Sequence, residues 1–210
     1  MYTPDLETFK KLARDANLIP VYREISADLE TPVSAYLKVA RPRPGRPGYS
    51  FLLESVEGGE NLARYSFIGA EPSDVLRTGP GEKDGAVDPL KLLRERIKRI
   101  RYAAVPGLPK FHGGAVGYIA YEAIRYFEPR VPPLKGRGVV VPESIFMLTD
   151  ALLIFDHVRH TIAVLSHAHV EGNAEEAYQR AVEKVDDLVR RLKVRAARGG
   201  VVAHDVVGEE

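Results

Sequence analysis

Glu54 and Ser55 directly follow the apolar run Phe51-Leu52-Leu53. A carboxylate and a hydroxyl therefore stand at the end of a strand that must be buried. Eleven residues on, Ser66 follows Arg64-Tyr65 into the next apolar run. Antiparallel pairing of the two runs brings residues near 55 and 66 towards each other. A carboxylate at such a spot can take a ligand ammonium, and a hydroxyl can bond a ligand carboxylate or amine. A free amino acid has both groups. The same residues serve equally well as a satisfied structural turn, and spacing does not separate the two readings. Glu57 and Glu60 continue a three-residue spacing from Glu54 around Gly58-Gly59. They suit a cation or an amine, or simply a solvated loop.

Other chemistry is weaker. Gly113-Gly114-Ala115-Val116-Gly117 is glycine-rich, but no Lys-Ser or Lys-Thr follows and the spacing fits neither nucleotide fingerprint. Glycines that let another backbone approach a strand are the better reading. Four of the six histidines, His157, His160, His167 and His169, fall within thirteen residues. His167 and His169 share a strand face by the period of two, and a third imidazole would make a zinc site. The absence of cysteine and the shortage of carboxylates at ligand spacing favour a half-exposed surface instead. No Ser-His-Asp, paired-carboxylate or HExxH pattern is evident.

Composition narrows the class. With 210 residues, 45% apolar and 28% charged, the chain has the make-up of an ordinary globular protein and can build one sizeable core or two small ones. A formal net charge of +1 gives no reason to expect nucleic acid or an anionic membrane as partner. No apolar run reaches spanning length. The start, MYTPDLETFKKLARDAN, lacks an apolar signal region, and zero cysteines exclude disulfides and thiolate sites. The expected location is the cytoplasm.

The elements that must position these residues follow from periodicity. Thr3-Pro4-Asp5 predicts a helix start, with Thr3 as cap and a helix to about Asn17. Pro20 to Ile25 predicts a strand. Thr31-Pro32 starts a helix with Val33, Tyr36 and Leu37 on its buried face. The alternating prolines of 41–48 predict an extended exposed loop. Strands are expected near 49–55, 62–69 and 73–78, at Gly113–Tyr121, Ser144–Thr149, Ala151–Phe155 and Thr161–Ser166, with Asp156 to His160 turning a hairpin. Asp88-Pro89 starts a helix to about Tyr102 with Leu90, Leu93, Ile97 and Ile100 at helical spacing. Asn173 caps a long helix to about Val194, with Ala177, Ala181, Val185, Leu188 and Leu192 inward. Hairpin-like strand groups with helices between them predict an α+β fold with a mostly antiparallel sheet and helices packed on it.

Four segments carry a family resemblance. Ile19–Ala40 resembles the N-terminal lead of anthranilate synthase large subunits. SFLLESVEGGENLARYSFIGAEP is similar to their inhibitor-binding region. GGAVGYIAYEAIRYFE and IFMLTDALLIFDHVRHTIAVLSHA are also typical of them. The resemblance implies one half of a two-sheet sandwich, with 1–195 as the N-terminal domain and 196–210 as a tail leading to a catalytic domain absent from this chain. It implies that Leu52, Glu54, Ser55 and Ser66, with Arg64 as a lesser candidate, contribute to an allosteric tryptophan site that the C-terminal domain completes. It implies no catalytic residue, metal or cofactor in this chain, and an inactive fragment. The parent would use Mg2+ to convert chorismate and ammonia or glutamine into anthranilate and pyruvate, with a glutamine amidotransferase subunit as partner. The aminodeoxychorismate synthase large subunit is the alternative within the family. Outside it stand a free-standing amino-acid-binding regulatory module and a purely structural platform domain.

Overall fold

The computed structural model describes residues 1–41, 48–54, 64–128, 130–132 and 141–194. Residues 42–47 of the predicted proline-rich loop at 41–48, together with Ser55, Glu57, Glu60 and the 196–210 tail, lie outside the described residues. Helices α1 (Leu6–Leu12), α2 (Pro32–Val39), α3 (Pro89–Ile97) and α4 (Ala174–Lys193) are interspersed with eight strands. These are β1 (Leu18–Ser26), β2 (Ser50–Leu53), β3 (Tyr65–Ala70), β4 (Asp74–Thr78), β5 (Gly114–Ile119), β6 (Ser144–Thr149), β7 (Ala151–Asp156) and β8 (Thr161–His169). A 3-10 helix occupies Tyr121–Tyr126.

The fold is α+β and its ladders are antiparallel, as the hairpin-like grouping predicts. The strands divide between two sheets, ordered β1-β8-β7-β3-β2 and β4-β6-β5. Register follows burial. Leu153 and Phe155 pair with Val164 and Ile162 and turn to the helices; Leu152 and Ile154 pair with Leu165 and Ala163 and turn to the second sheet. All six residues of β7 are buried, which is what an apolar run with a layer on each face requires. Each large aliphatic or aromatic side chain buried here contributes on the order of 1.5–3 kcal/mol.

Asn173 caps α4 by accepting from the Glu175 and Glu176 N–H groups. Ala177, Ala181, Val185, Leu188 and Leu192 are all buried, as their spacing predicts. Three expectations need correction. Asp5, not Thr3, caps α1, its carboxylate accepting from Thr8 N–H at 2.8 Å, and the helix stops at Leu12. The buried residues of α2 are Ala35 and Val39, while Val33 and Leu37 are exposed. Both pairs have i,i+4 spacing, so the sequence offers two apolar stripes. The choice is made by long-range bonds, including Tyr36 Oη to Ser50 Oγ at 3.0 Å and Lys38 Nζ to the Leu192 carbonyl at 2.8 Å. In α3, Leu90 and Ile97 are exposed and only Pro89 is buried. No described layer covers that stripe.

Close approach explains two glycines. A Cβ on Gly117 would fall 1.7 Å from the Ile145 carbonyl oxygen of the neighbouring strand. A Cβ on Gly69 would fall 2.2 Å from the Phe51 ring.

Candidate functional site

Three strand ends meet where the sequence places its carboxylate and hydroxyls. β2 pairs with β3 from Ser50↔Ala70 to Leu53↔Phe67. One step further along that register, Glu54 stands opposite Ser66. β3 in turn pairs with β7, Tyr65 against Asp156 and Ser66 against Phe155. Alternation puts Leu52 on the face of Ile68 and Ser66, towards α2 and α4, and Leu52 packs on that cluster. Glu54 is exposed, so its carboxylate is hydrated and available. The structure thus brings Leu52, Glu54, Arg64 and Ser66 together at one end of the five-stranded sheet.

Arg64 is committed elsewhere. Its Nε and Nη2 donate to the two oxygens of Asp156 at 3.2 and 2.7 Å, and its guanidinium lies 5.0 Å from the Tyr65 ring centre. Asp156 Oδ1 also accepts from the backbone N–H of Val158 and Arg159, each at 3.1 Å. That carboxylate therefore closes the β7–β8 turn and clamps it to β3. Burial pushes the Asp156 carboxyl up. The bonds from Arg64 and from the two turn N–H groups outweigh burial and hold it below its ordinary value. The Asp156 bond raises Arg64 correspondingly.

Ser66 is completely buried, and its hydroxyl lies 2.7 Å from Nε2 of His157. His157 is exposed. Its ring stacks at 26° on Phe155, and its backbone N–H donates to the Arg64 carbonyl at 2.9 Å. The spacing arguments did not single out His157 for this site. It is 91 residues from Ser66 in the chain. The local signal is its position two residues beyond the apolar run that ends at Phe155.

The histidine cluster divides. His157 and His160 flank the turn before β8, and His167 and His169 lie at its far end, roughly 20 Å away at strand rise. His169 Nε2 meets Asp150 Oδ1 at 2.9 Å. His167 is buried against Gly113, whose Cβ would come 2.3 Å from its ring. Burial lowers the His167 pKa to about 4. Among the described residues no group of three or more His, Asp or Glu could hold a metal ion. Gly113 and Gly117 act by admitting close neighbours, a histidine ring and a strand carbonyl.

Among the described residues no helix is long and apolar enough to cross a membrane. A family model described as chorismate binding enzyme matches residues 48–205. A probable anthranilate synthase component 1 from Schizosaccharomyces pombe is 42% identical over 194 residues, covering 90% of this chain and 38% of that protein. Anthranilate synthase component 1 from Synechocystis is 41% identical, covering 92% of this chain and 40% of the relative. The Acetivibrio thermocellus protein of that name is 37% identical, with 91% and 40% covered. The chain thus spans about two fifths of the length of these relatives. Their names do not favour the folate-branch alternative. The anthranilate synthase resemblance carried by the four sequence segments is borne out, and the chain belongs to the chorismate binding enzyme family.

Proposed function

We propose that this chain is the N-terminal, effector-binding part of a cytoplasmic anthranilate synthase large subunit, in which Leu52, Glu54, Ser55 and Ser66 contribute to a tryptophan feedback site. The observation that carries the reading is the register that sets Glu54 opposite Ser66 at an open sheet end. The component 1 relatives matched over nine-tenths of the chain supply the reaction. The parent would convert chorismate and ammonia into anthranilate, pyruvate and water, the ammonia coming from a glutamine amidotransferase subunit.

Within this chain the work is binding and orientation. Glu54 takes the ammonium of the amino acid, Leu52 lines the apolar side, and the Arg64–Asp156 clamp fixes the strand ends on which they stand. Arg64 is a positioning residue in this reading. Among the described residues no group of His, Asp and Glu could hold magnesium. The chorismate-binding residues and the remaining wall of the effector pocket belong to the rest of the parent.

Two assays test this. The chain alone, with chorismate, ammonium and magnesium, should give no anthranilate fluorescence above a heat-killed control. In the full-length parent, Ser55→Phe and Glu54→Gln should each raise the half-inhibiting tryptophan concentration tenfold or more. Unchanged inhibition in both variants would remove this sheet end from the effector site. Saturable micromolar tryptophan binding to the chain alone would favour a free-standing sensing module instead. The chain has no Trp of its own to obscure ligand fluorescence.

A further inference from the structure

We infer that the group presented to an effector at this sheet end is the imidazole of His157, and that Ser66 acts through it as a positioning residue. The inference rests on the effector-site reading above. Ser66 has no exposed surface, so its hydroxyl touches no ligand while the sheet end keeps this arrangement. That hydroxyl is directed to His157 Nε2 at 2.7 Å. The exposed ring is held on a second side by stacking on Phe155, and its backbone is fixed by the bond from His157 N–H to the Arg64 carbonyl. An exposed ring held by a hydrogen bond and a stacking contact on a fixed backbone is preorganised, and little rotamer freedom remains to be lost when a ligand binds.

The chemistry of the pair selects the ligand group. With Nε2 occupied by Ser66, Nδ1 is the ring nitrogen left to meet a ligand. When the Ser66 hydroxyl donates to Nε2, the neutral imidazole carries its proton on Nδ1 and becomes a donor outward. The neighbouring charges are already matched, Arg64 with Asp156 and Arg159 with Glu24. The outward N–H is therefore free to serve a ligand carboxylate. Glu54, at the end of β2 on the far side of β3, suits the ammonium of the same amino acid. Two side chains on different strands would thus read the two ends of one zwitterion.

The test measures L-tryptophan dissociation constants on the full-length parent protein by equilibrium binding. His157→Leu should weaken binding tenfold or more. His157→Gln, which keeps a polar group towards Ser66 but removes Nδ1, should do the same. Ser66→Ala should weaken binding by two- to fivefold in the native background, and by nothing further in the His157→Leu background. That non-additivity is what action through the ring requires. An equal Ser66→Ala penalty in both backgrounds would show a hydroxyl that meets the ligand itself and would overturn the inference. So would unchanged binding in both His157 variants while Glu54→Gln weakens it. Unchanged binding in Glu54→Gln and both His157 variants together would take down the effector-site reading itself.

Discussion

The buried imidazole of His167 predicts a specific acid sensitivity. The ring lies inside the contact between β8 and the 102–113 segment, and its Nδ1 has no hydrogen-bond partner among the described residues. The rings of His112 and Tyr102 lie 6.2 and 6.4 Å away. Burial is the main cause of its low pKa of about 4, and His112 and His169 add to it, while Asp150 works against it. A histidine whose folded pKa lies below its unfolded value of 6.5 contributes stability that is complete above about pH 6.5. That stability is lost as pH falls towards 4. Two and a half pH units correspond to roughly 3 kcal/mol in full, of which about 2 kcal/mol is lost by pH 5. His169 runs the other way. Its bond to Asp150 raises its pKa, so its contribution grows as pH falls. Asp150 is pushed up by burial, but the bonds from His169 and Ser73 and the charge of Lys184 hold it low, so it still contributes at pH 5. Urea unfolding at pH 7.5, 6 and 5 should therefore be compared between the native chain and His167→Phe, which keeps a ring and cannot be protonated. Between pH 7.5 and 5 the native chain should lose about 2 kcal/mol more than the variant. Equal losses would show that His167 is not the group resisting its own protonation.

Three further outcomes follow from packing. Gly117→Ala should destabilise by roughly 3 kcal/mol or more, because its Cβ meets the Ile145 carbonyl 1.7 Å away and the β5–β6 ladder must open; a loss under about 1 kcal/mol in urea unfolding would contradict the register. Leu188→Ala, in the buried face of α4, should cost about 2–5 kcal/mol, and Leu90→Ala, exposed on α3, under about 1 kcal/mol; comparable losses would mean that α3 is covered in solution. The chain alone should self-associate, since β5 and the 3-10 helix after it expose Tyr118, Ile119, Tyr121 and Phe127 together. Light scattering across a concentration series checks this, and a monomer at high concentration that binds no hydrophobic dye would refute it.

How much of this was legible depends on where each constraint resides. α4 could be read because its cap, its length and its single apolar stripe agree, and one face of period 3.6 has only one way to be buried. β7 could be read because an apolar run five residues long, Ala151–Phe155, needs a layer on each side. The same reasoning applied to Ala115–Ala120 predicts double burial, yet β5 is largely open in the chain. Composition records which surfaces want covering, not whether the covering layer is present. In α2 two stripes compete, and bonds to Ser50 and Leu192 decide between them from outside the helix. The site divides in the same way. The convergence of Glu54 and Ser66 follows from two adjacent strands and a count of residues, so pattern alone reached it. What Ser66 does there does not follow, because its partner comes from a strand end 91 residues away. A buried hydroxyl has to bond something, and in an isolated sequence nothing says what. The structure answers with an exposed imidazole. A serine that looks like a contact residue in the sequence is thereby one step removed from solvent, and the residue that can meet a ligand is the one the spacing argument passed over.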